Sequence, residues 1–223
     1  MKPTIIKSPL TIIAAAGILF LLSAFTVMAQ RKVSEMTLVY DYSVGSGKPT
    51  SGGESATHTL YIKGSKSRSE ITNSNYSSSV IFDASTGFGV ILKEVSGQKL
   101  LIRLNPDNWK ERNKAYDGMV FKPTGETKEI AGYKCVKATA QTRSGMVITV
   151  FYTRDVTPEN KEYDPPFRNL EGLPLEYELT NGDVKIKYKV SRISLNPVPA
   201  SKFDIPKSGY REMNYEESKK MNM

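Results

Sequence analysis

The feature that most constrains the fold of this chain is an Asn181-Gly182 pair between two stretches of alternating polar and apolar residues. Asn-Gly is the strongest short signal for a two-residue β-hairpin, because both residues tolerate the positive φ that a type I′ turn demands. The sequence therefore predicts an antiparallel strand pair on either side of this turn.

A two-residue loop also fixes which residues lie opposite each other across the hairpin. With Asn181 and Gly182 as the loop, one face is apolar and the other carries pairs of opposite charge, each contributing about 0.2–1 kcal/mol. The predicted apolar pairs are Leu179 with Val184, Tyr177 with Ile186 and Leu175 with Tyr188, and the charged pairs are Glu178 with Lys185 and Glu176 with Lys187. Two lysines of this stretch are thus explained without an anionic partner.

The rest of the chain after Gln30 alternates β-prone segments with short turn signals. Gly64-Ser65, Ser96-Gly97 and Ser144-Gly145 each separate two such segments, and Ala84–Gly87 forms a longer turn. The stretch 45–53 is rich in glycine and serine and is predicted to be a mobile loop. We expect a mainly β, strongly curved antiparallel sheet, because roughly ten strands in one sheet have to curl.

Helix signals are few. The best is Pro106–Ala115, with Asn105 as its cap and proline in the first turn. Trp109 lies on this helix and is predicted to anchor it to the sheet. Residues 157–168 contain three prolines and are predicted to form a loop with one helical turn.

The N-terminal segment resembles a secretory signal peptide. Lys2 and Lys7 precede an apolar run from Leu10 to Met28, and Ala29 ends the small-residue pattern of a cleavage site before Gln30. An uncleaved anchor is the alternative, since about 19 residues can just span a bilayer. We expect a periplasmic or secreted protein with no stable membrane span after cleavage.

The sequence is expected to contain a signal peptide at 1–29, one β domain at 30–213 and a flexible C-terminal tail at 214–223. The sequence has no internal repeat and no second region of different composition, so one domain is the simplest account.

Composition excludes several chemistries. The chain has one His, one Cys and one Trp, so it cannot assemble a Cys/His zinc site or an internal disulfide. A catalytic triad would have to use His58, which is expected to be an exposed strand residue. Cys135 is expected to be a small buried hydrophobe. The net charge is +8, but no basic run interleaves with aromatics, so nucleic acid is not an expected partner.

Carboxylates leave two alternatives open. The first is a cation such as calcium, bound by the group Asp155, Glu159, Glu162 and Asp164 in one loop, although the spacing matches no known calcium-binding loop. Two acids facing each other across a cleft would suit a glycosidase-type hydrolase, which is the weakest functional hypothesis. We expect no enzymatic activity, no catalytic residue, no cofactor and no metal.

Four motifs in order resemble one family of exported proteins of unknown function. They are Ile62–Arg68 (I-x-G-x-K-x-R), Ile130–Cys135 (I-x-G-Y-x-C), Gly172–Glu176 (G-L-P-L-E) and Phe203–Pro206 followed by Gly209-Tyr210. In order and spacing they are similar to the DUF4412 group, placed among LolA/LolB-like proteins, and to the related GLPGLI group. The resemblance covers roughly residues 33–213.

The resemblance implies an unclosed barrel whose concave side is covered by short helices or loops. In LolA-like carriers the space between sheet and cover receives acyl chains. The candidate ligand-binding residues on this face are Tyr177, Ile186, Tyr188, Ile148 and Phe151. Their apolar face either lines a cavity or is simply filled core, because this chain lacks the N-terminal helix of lipoprotein carriers.

The predicted function is a periplasmic carrier or binding protein for a lipid, an acylated molecule or another hydrophobic ligand. The alternative is a structural or interaction module of the cell envelope that binds another envelope protein. The family motifs themselves are expected to be structural, with Gly132 and Gly172 in turns and Phe203 and Ile205 in a docking terminal strand.

Overall fold

The computed structural model describes residues 30–46, 56–74, 76–95 and 97–220. The predicted signal peptide, residues 47–53 of the predicted mobile loop and the last three residues lie outside the described residues. No helix in the described ranges is long and apolar enough to cross a membrane.

Strands dominate the described chain, and its helices are short. The strands are β1 Arg31–Val33, β2 Glu35–Ser46, β3 Ala56–Lys63, β4 Lys66–Thr72, β5 Tyr76–Asp83, β6 Phe88–Val95, β7 Gln98–Leu104, β8 Lys122–Ile130, β9 Tyr133–Gln141, β10 Val147–Thr153, β11 Val156–Pro158, β12 Leu173–Asn181, β13 Val184–Ser194 and β14 Arg211–Met213. The α-helices are α1 Pro106–Asn113 and α2 Tyr215–Lys220, and single 3-10 turns cover Lys114–Tyr116, Lys161–Tyr163, Pro165–Phe167 and Ala200–Phe203.

One large sheet organises the described residues. Its twelve strands follow the order β14-β7-β6-β5-β4-β3-β2-β13-β12-β10-β9-β8, and its end strands β14 and β8 do not pair with each other. Every neighbour is antiparallel except β14, which runs parallel to β7. A small parallel ribbon joins β1 to β11. The predicted mainly β, unclosed antiparallel sheet with few short helices is confirmed.

The Asn-Gly hairpin forms, but its predicted register is wrong by two residues. Asn181 pairs with Val184, Leu179 with Ile186 and Tyr177 with Tyr188. The loop is Gly182-Asp183, with Gly182 at a φ of 57°. A glycine at the first loop position suits a type II′ turn, whereas an Asn-Gly loop suits a type I′ turn. Because side chains alternate with a period of two, this shift leaves each residue on its predicted face.

The shift changes the ion pairs. Glu178 lies 3.8 Å from the Nζ of Lys185 and 3.4 Å from that of Lys187. Glu176 pairs instead with Lys128 of β8 at 2.7 Å.

The inner face of the sheet, defined as the face under α1 and the 3-10 turns at 161–167, carries two separate apolar cores. The first core lies under the turns and contains Leu38, Leu60 and Phe167. The second core lies under α1, where Trp109 stacks on Phe82 with 3.8 Å between ring centroids. The predicted anchoring of the helix by Trp109 is therefore confirmed.

Of the two helices that pack on the second core, α1 agrees with the sequence prediction and α2 does not. Helix α1 begins as predicted, with the Asn105 side chain accepting from the backbone N–H of Asn108 in a capping box. The segment after Met213 was expected to be a flexible tail. Its described part instead forms α2, and Tyr215 is buried in the second core.

The outer face carries a smaller core. The chain leaves β13 and crosses this face, so that Val198 and Phe203 pack on Ile81 and Leu101 before β14 begins. Phe203 is buried as its motif suggested, but in a 3-10 turn and not in a strand. Ile205 is 38% exposed, so its predicted docking role is wrong.

The motif glycines have two different roles. Gly132 follows Ala131 in a two-residue turn, and both have positive φ, 80° and 50°. Gly172 is not in the left-handed region. A Cβ there would lie 2.2 Å from the carbonyl oxygen of Thr153, so Gly172 permits a close backbone approach. Cys135 is fully buried, and burial raises the pKa of its thiol to about 11.

Candidate functional site

A cavity of about 360 Å³ lies on the inner face between the two cores, and we call it the central cavity. Strands β3–β6, β12 and β13 form its floor, and the chain from α1 to Tyr116 and the loop 163–167 form its cover. Its lining residues are His58, Ser67, Ser69, Ile71, Tyr76, Ser78, Val80, Lys93, Trp109, Arg112, Asn113, Tyr116, Tyr163, Asp164, Pro165, Pro166, Phe167, Tyr177, Leu179 and Tyr188.

The cavity exists because small side chains occupy inward positions in the middle of the sheet. Ser69 pairs with Leu60 on one side and Val80 on the other, so it belongs to the same face as the core residues. Ser78 occupies the corresponding inward position beside Ile71. A serine where neighbouring strands have leucine or isoleucine leaves volume that packing does not fill.

The wall under the first core is aromatic. The Tyr177 and Tyr188 rings stack with centroids 4.4 Å apart, and Phe167 of the cover packs edge-on against Tyr177 at 4.7 Å. His58 stacks on Tyr40 at 5.4 Å and contacts Tyr188 edge-on at 5.4 Å. On this side the cavity is therefore bounded by tightly packed aromatic rings.

His58 is 5% exposed, so its prediction as an exposed strand residue is wrong. It faces inward opposite Tyr40, and burial lowers the pKa of its imidazole to about 4. Its Nε2 lies 2.8 Å from the Ser69 hydroxyl, whereas its Nδ1 has no hydrogen-bond partner in the described structure. A serine–histidine contact of this kind lacks the third group that orients the base in a triad.

Asp164 supplies an acidic group to the cavity. It is surrounded by protein while part of its surface stays open to the cavity, and burial raises the pKa of its carboxyl to about 7. Burial is the largest cause of raised pKa values in five tyrosines near it, and the charge of Asp164 raises them further: Tyr40, Tyr116, Tyr163, Tyr177 and Tyr188. The predicted acidic loop is thus split, because Glu162 turns away to Arg168 at 3.5 Å.

Two basic residues, Lys93 and Arg112, also line the cavity, and neither is close enough to Asp164 to lower the pKa of its carboxyl. Lys93 is half-buried and Arg112 is exposed. Burial, followed by the charge of Arg112, lowers the pKa of Lys93. Tyr116 is near both kinds of group, because its pKa is raised by burial, raised further by Asp164 and lowered by Arg112.

The structure separates the five predicted ligand-binding residues. Tyr177 and Tyr188 line the cavity, whereas Ile148 is fully buried in the first core and Ile186 is partly buried at its edge. Phe151 lies on the outer face, where the Nζ of Lys128 stands 3.8 Å from its ring centroid. Positions 148 and 151 differ by an odd number, so alternation puts them on opposite faces, and grouping them was wrong.

Two of the larger openings carry less chemistry. A groove of about 460 Å³ runs between Phe88 and Ile205, and another of about 500 Å³ lies on the outer face between Glu178 and Lys187. None of the described buried polar atoms that lack a partner belongs to residues lining either groove. Across the described residues, no group of three or more His, Cys, Asp or Glu is arranged to hold a metal ion.

Comparisons with known proteins identify a fold but no family. No family model matches the sequence, and no curated protein matches it. The solved structure of PNGF-II is similar with a TM-score of 0.50 and 16% identity, over 85% of this chain and 33% of that one. This chain therefore spans about a third of the PNGF-II chain, and at this identity the likeness concerns the fold alone.

Two further solved structures are similar at lower scores. A β-barrel-like protein of domain of unknown function DUF1849 from Brucella abortus gives a TM-score of 0.41 and 8% identity, over 74% of this chain and 99% of that one. A LolA superfamily protein from Nitrosomonas europaea gives 0.36 and 11%, over 77% and 90%.

Proposed function

We propose that this chain is a non-catalytic binding or carrier protein that holds a small amphipathic ligand in the central cavity. The observation that carries the proposal is a cavity of about 360 Å³ walled by stacked aromatic rings and by polar side chains. Small-molecule sites are typically concave, of 300–1,000 Å³, and combine apolar walls with a few placed polar groups.

Unpartnered polar atoms support this proposal. The Nδ1 of His58, the indole N–H of Trp109 and the hydroxyl of Tyr163 are buried without hydrogen-bond partners among the described residues. All three residues line the central cavity. A buried polar group without a partner costs about 1–3 kcal/mol, and an occupant that these side chains turn to meet would relieve part of this cost.

The proposal narrows the ligand that the sequence suggested. Serines, His58 and Asp164 line this cavity together with the aromatic rings, so an entirely apolar acyl chain would leave polar groups unsatisfied. The ligand we propose has an apolar part against Tyr177 and Tyr188 and polar groups elsewhere.

We also propose that the protein is exported and that it belongs to the DUF4412 group. The N-terminal pattern Lys2–Ala29 supports secretion to the periplasm or beyond. The four ordered motifs support membership of the DUF4412 group.

Mass spectrometry of the purified protein tests the proposed function. The full chain would be expressed with its N-terminal segment, purified without detergent and extracted with organic solvent. Ser78→Leu fills the cavity, and Ser77→Leu is the matched control, because Ser77 neighbours it on β5 but faces the other side of the sheet. We expect one small molecule in the unchanged protein and in Ser77→Leu, and its loss from Ser78→Leu.

Two results would contradict this proposal. A molecule retained equally by Ser78→Leu would lie outside the central cavity. Empty protein in every preparation, with no binding from a total lipid and metabolite extract, would favour the alternative of an envelope interaction module.

A further inference from the structure

The end of the central cavity around Asp164 is suited to a cation. Among the described residues, the carboxyl of Asp164 forms no ion pair, and the tyrosines Tyr163, Tyr177 and Tyr188 stand near it. Aromatic ring faces attract cations through their quadrupole, and a carboxylate adds a full negative charge. The described protein places no basic side chain close enough to lower the pKa of this carboxyl.

The end around Lys93 and Arg112 is suited to an anion. Neither side chain forms an ion pair within the described ranges, although the chain forms ion pairs at many other lysines and arginines. The two cations lie near enough that Arg112 lowers the pKa of Lys93. Arg112 is exposed, so an anionic group that reaches it also contacts solvent.

We propose that the central cavity binds a zwitterion, with its ammonium group against Asp164 and the tyrosines and its phosphate or carboxylate at Lys93 and Arg112. This inference rests on the proposed function, since it names the ligand class of the same cavity. A single molecule of this kind neutralises both unpaired ends, whereas a simple cation or a simple anion neutralises one.

The proposal fixes how binding depends on pH. Burial raises the pKa of the Asp164 carboxyl to about 7, so the carboxylate that attracts an ammonium group forms above that pH. The other titratable groups around it do not change charge there. His58 has a pKa of about 4 and is neutral, and the facing tyrosines have raised pKa values. Ammonium affinity therefore rises about tenfold from pH 6 to pH 8.

Intrinsic fluorescence provides a direct readout, because the chain has one tryptophan and Trp109 lines the cavity. The probe is glycerophosphocholine, a phosphodiester whose own charges do not change near pH 7. Choline alone and inorganic phosphate alone test the two ends separately. Vesicles of phosphatidylcholine test whether the same headgroup is taken from a lipid.

The variants probe each end separately. Asp164→Asn is expected to weaken glycerophosphocholine binding about tenfold at pH 8 and to abolish its pH dependence. Arg112→Gln is expected to weaken it about fivefold at low salt, and Lys110→Gln is the matched control on α1. Lys110 is exposed and does not line the cavity.

The outcomes separate this inference from the proposed function. Tighter binding of glycerophosphocholine than of choline or phosphate supports it, and binding of vesicles but not of the free probe assigns the zwitterion to a lipid. Equal binding of phosphate and glycerophosphocholine, or an Asp164→Asn variant that binds like the unchanged protein, overturns it. If neither probe nor vesicles bind while Ser78→Leu still loses a co-purified molecule, the zwitterion fails and the cavity function stands.

Discussion

The inner face of the sheet contains two kinds of surface that share one backbone geometry. In the flanking cores, inward positions hold Leu60 or Phe82, which are fully packed. Between them, equivalent inward positions hold Ser69 and Ser78, which line a cavity. The difference teaches that side-chain volume, and not strand pairing, decides where this sheet is packed core and where it leaves a cavity.

The two surfaces also differ in electrostatics. The flanking cores are almost wholly apolar, whereas the cavity gathers a neutral histidine, a carboxyl with a raised pKa and two unpaired basic side chains. Titratable groups with shifted pKa values cluster at functional sites more often than elsewhere. These groups are the reason that we propose the cavity, and not the flanking cores, as the functional site.

The largest effect is expected in a flanking core. Phe82→Ala removes the ring on which Trp109 stacks at 3.8 Å and is expected to lower the free energy of unfolding by about 3–5 kcal/mol. Phe88→Ala in the same hairpin is the control, because Phe88 is 59% exposed and its loss should cost under about 1 kcal/mol. Urea denaturation measures both. Equal effects would mean that the stacked pair does not hold α1 on the sheet.

The next effect is a pair of opposed pH dependences in the cavity. An unfolded aspartate ionises near pH 3.9, whereas Asp164 stays protonated in the fold to about pH 7. The folded state therefore binds more protons between these values, and raising the pH lowers the free energy of unfolding. Asp164→Asn should be stabilised relative to the unchanged protein as the pH rises from 4 to 7, by up to about 4 kcal/mol.

His58 acts in the opposite direction. An unfolded histidine takes up a proton below about pH 6.5, whereas His58 in the fold does so only near pH 4. The unfolded state binds more protons between these values, so the fold loses stability as the pH falls. His58→Gln should remove up to about 3 kcal/mol of this dependence. Denaturation at several pH values checks both variants. If the free energy of unfolding changes with pH in the same way for all three proteins, the shifted pKa values of Asp164 and His58 are contradicted.

A smaller effect contrasts filling the cavity with overfilling a core. Ser78→Leu is expected to raise the free energy of unfolding by about 1 kcal/mol, because its methyl groups bury apolar surface in existing space. Ala138→Leu in the fully packed first core is expected to lower it by about 1–3 kcal/mol. In thermal denaturation, we expect Ser78→Leu to raise the melting temperature and Ala138→Leu to lower it. A Ser78→Leu protein as unstable as Ala138→Leu would mean that the cavity is not open.

The smallest effect concerns the serine hydroxyl alone. Ser78→Ala keeps the cavity and removes a hydroxyl that faces it, so stability should change by no more than about 0.5 kcal/mol. A loss above 1 kcal/mol in urea denaturation would assign Ser78 to the packed structure and not to the site.

Local rules in the sequence predicted much of the fold. Alternation and turn residues identified the hairpins, and the Asn105 cap identified α1, because these signals act between residues close in the chain. The predicted register of the last hairpin was wrong because the same residues can form either a Gly-Asp loop or an Asn-Gly loop. The packing of Tyr215 beside β7 was not predicted, because no residue near it in the sequence specifies so distant a partner.

The site was harder to predict for the same reason. Tyr177 and Tyr188 were found because the hairpin fixes their face, but Asp164, Tyr163 and Lys93 come from other parts of the chain. The one signal in the sequence was the presence of serines at inward positions of β4 and β5, where a core strand would carry large apolar residues.

A crystal structure of the full chain, purified without detergent and soaked with glycerophosphocholine at pH 8, tests the central claim most directly. The account predicts electron density in the central cavity that runs from the carboxylate of Asp164 to the guanidinium of Arg112. A structure in which Trp109 and Tyr163 close over Ser69 and Ser78, leaving no space on the inner face, would contradict it.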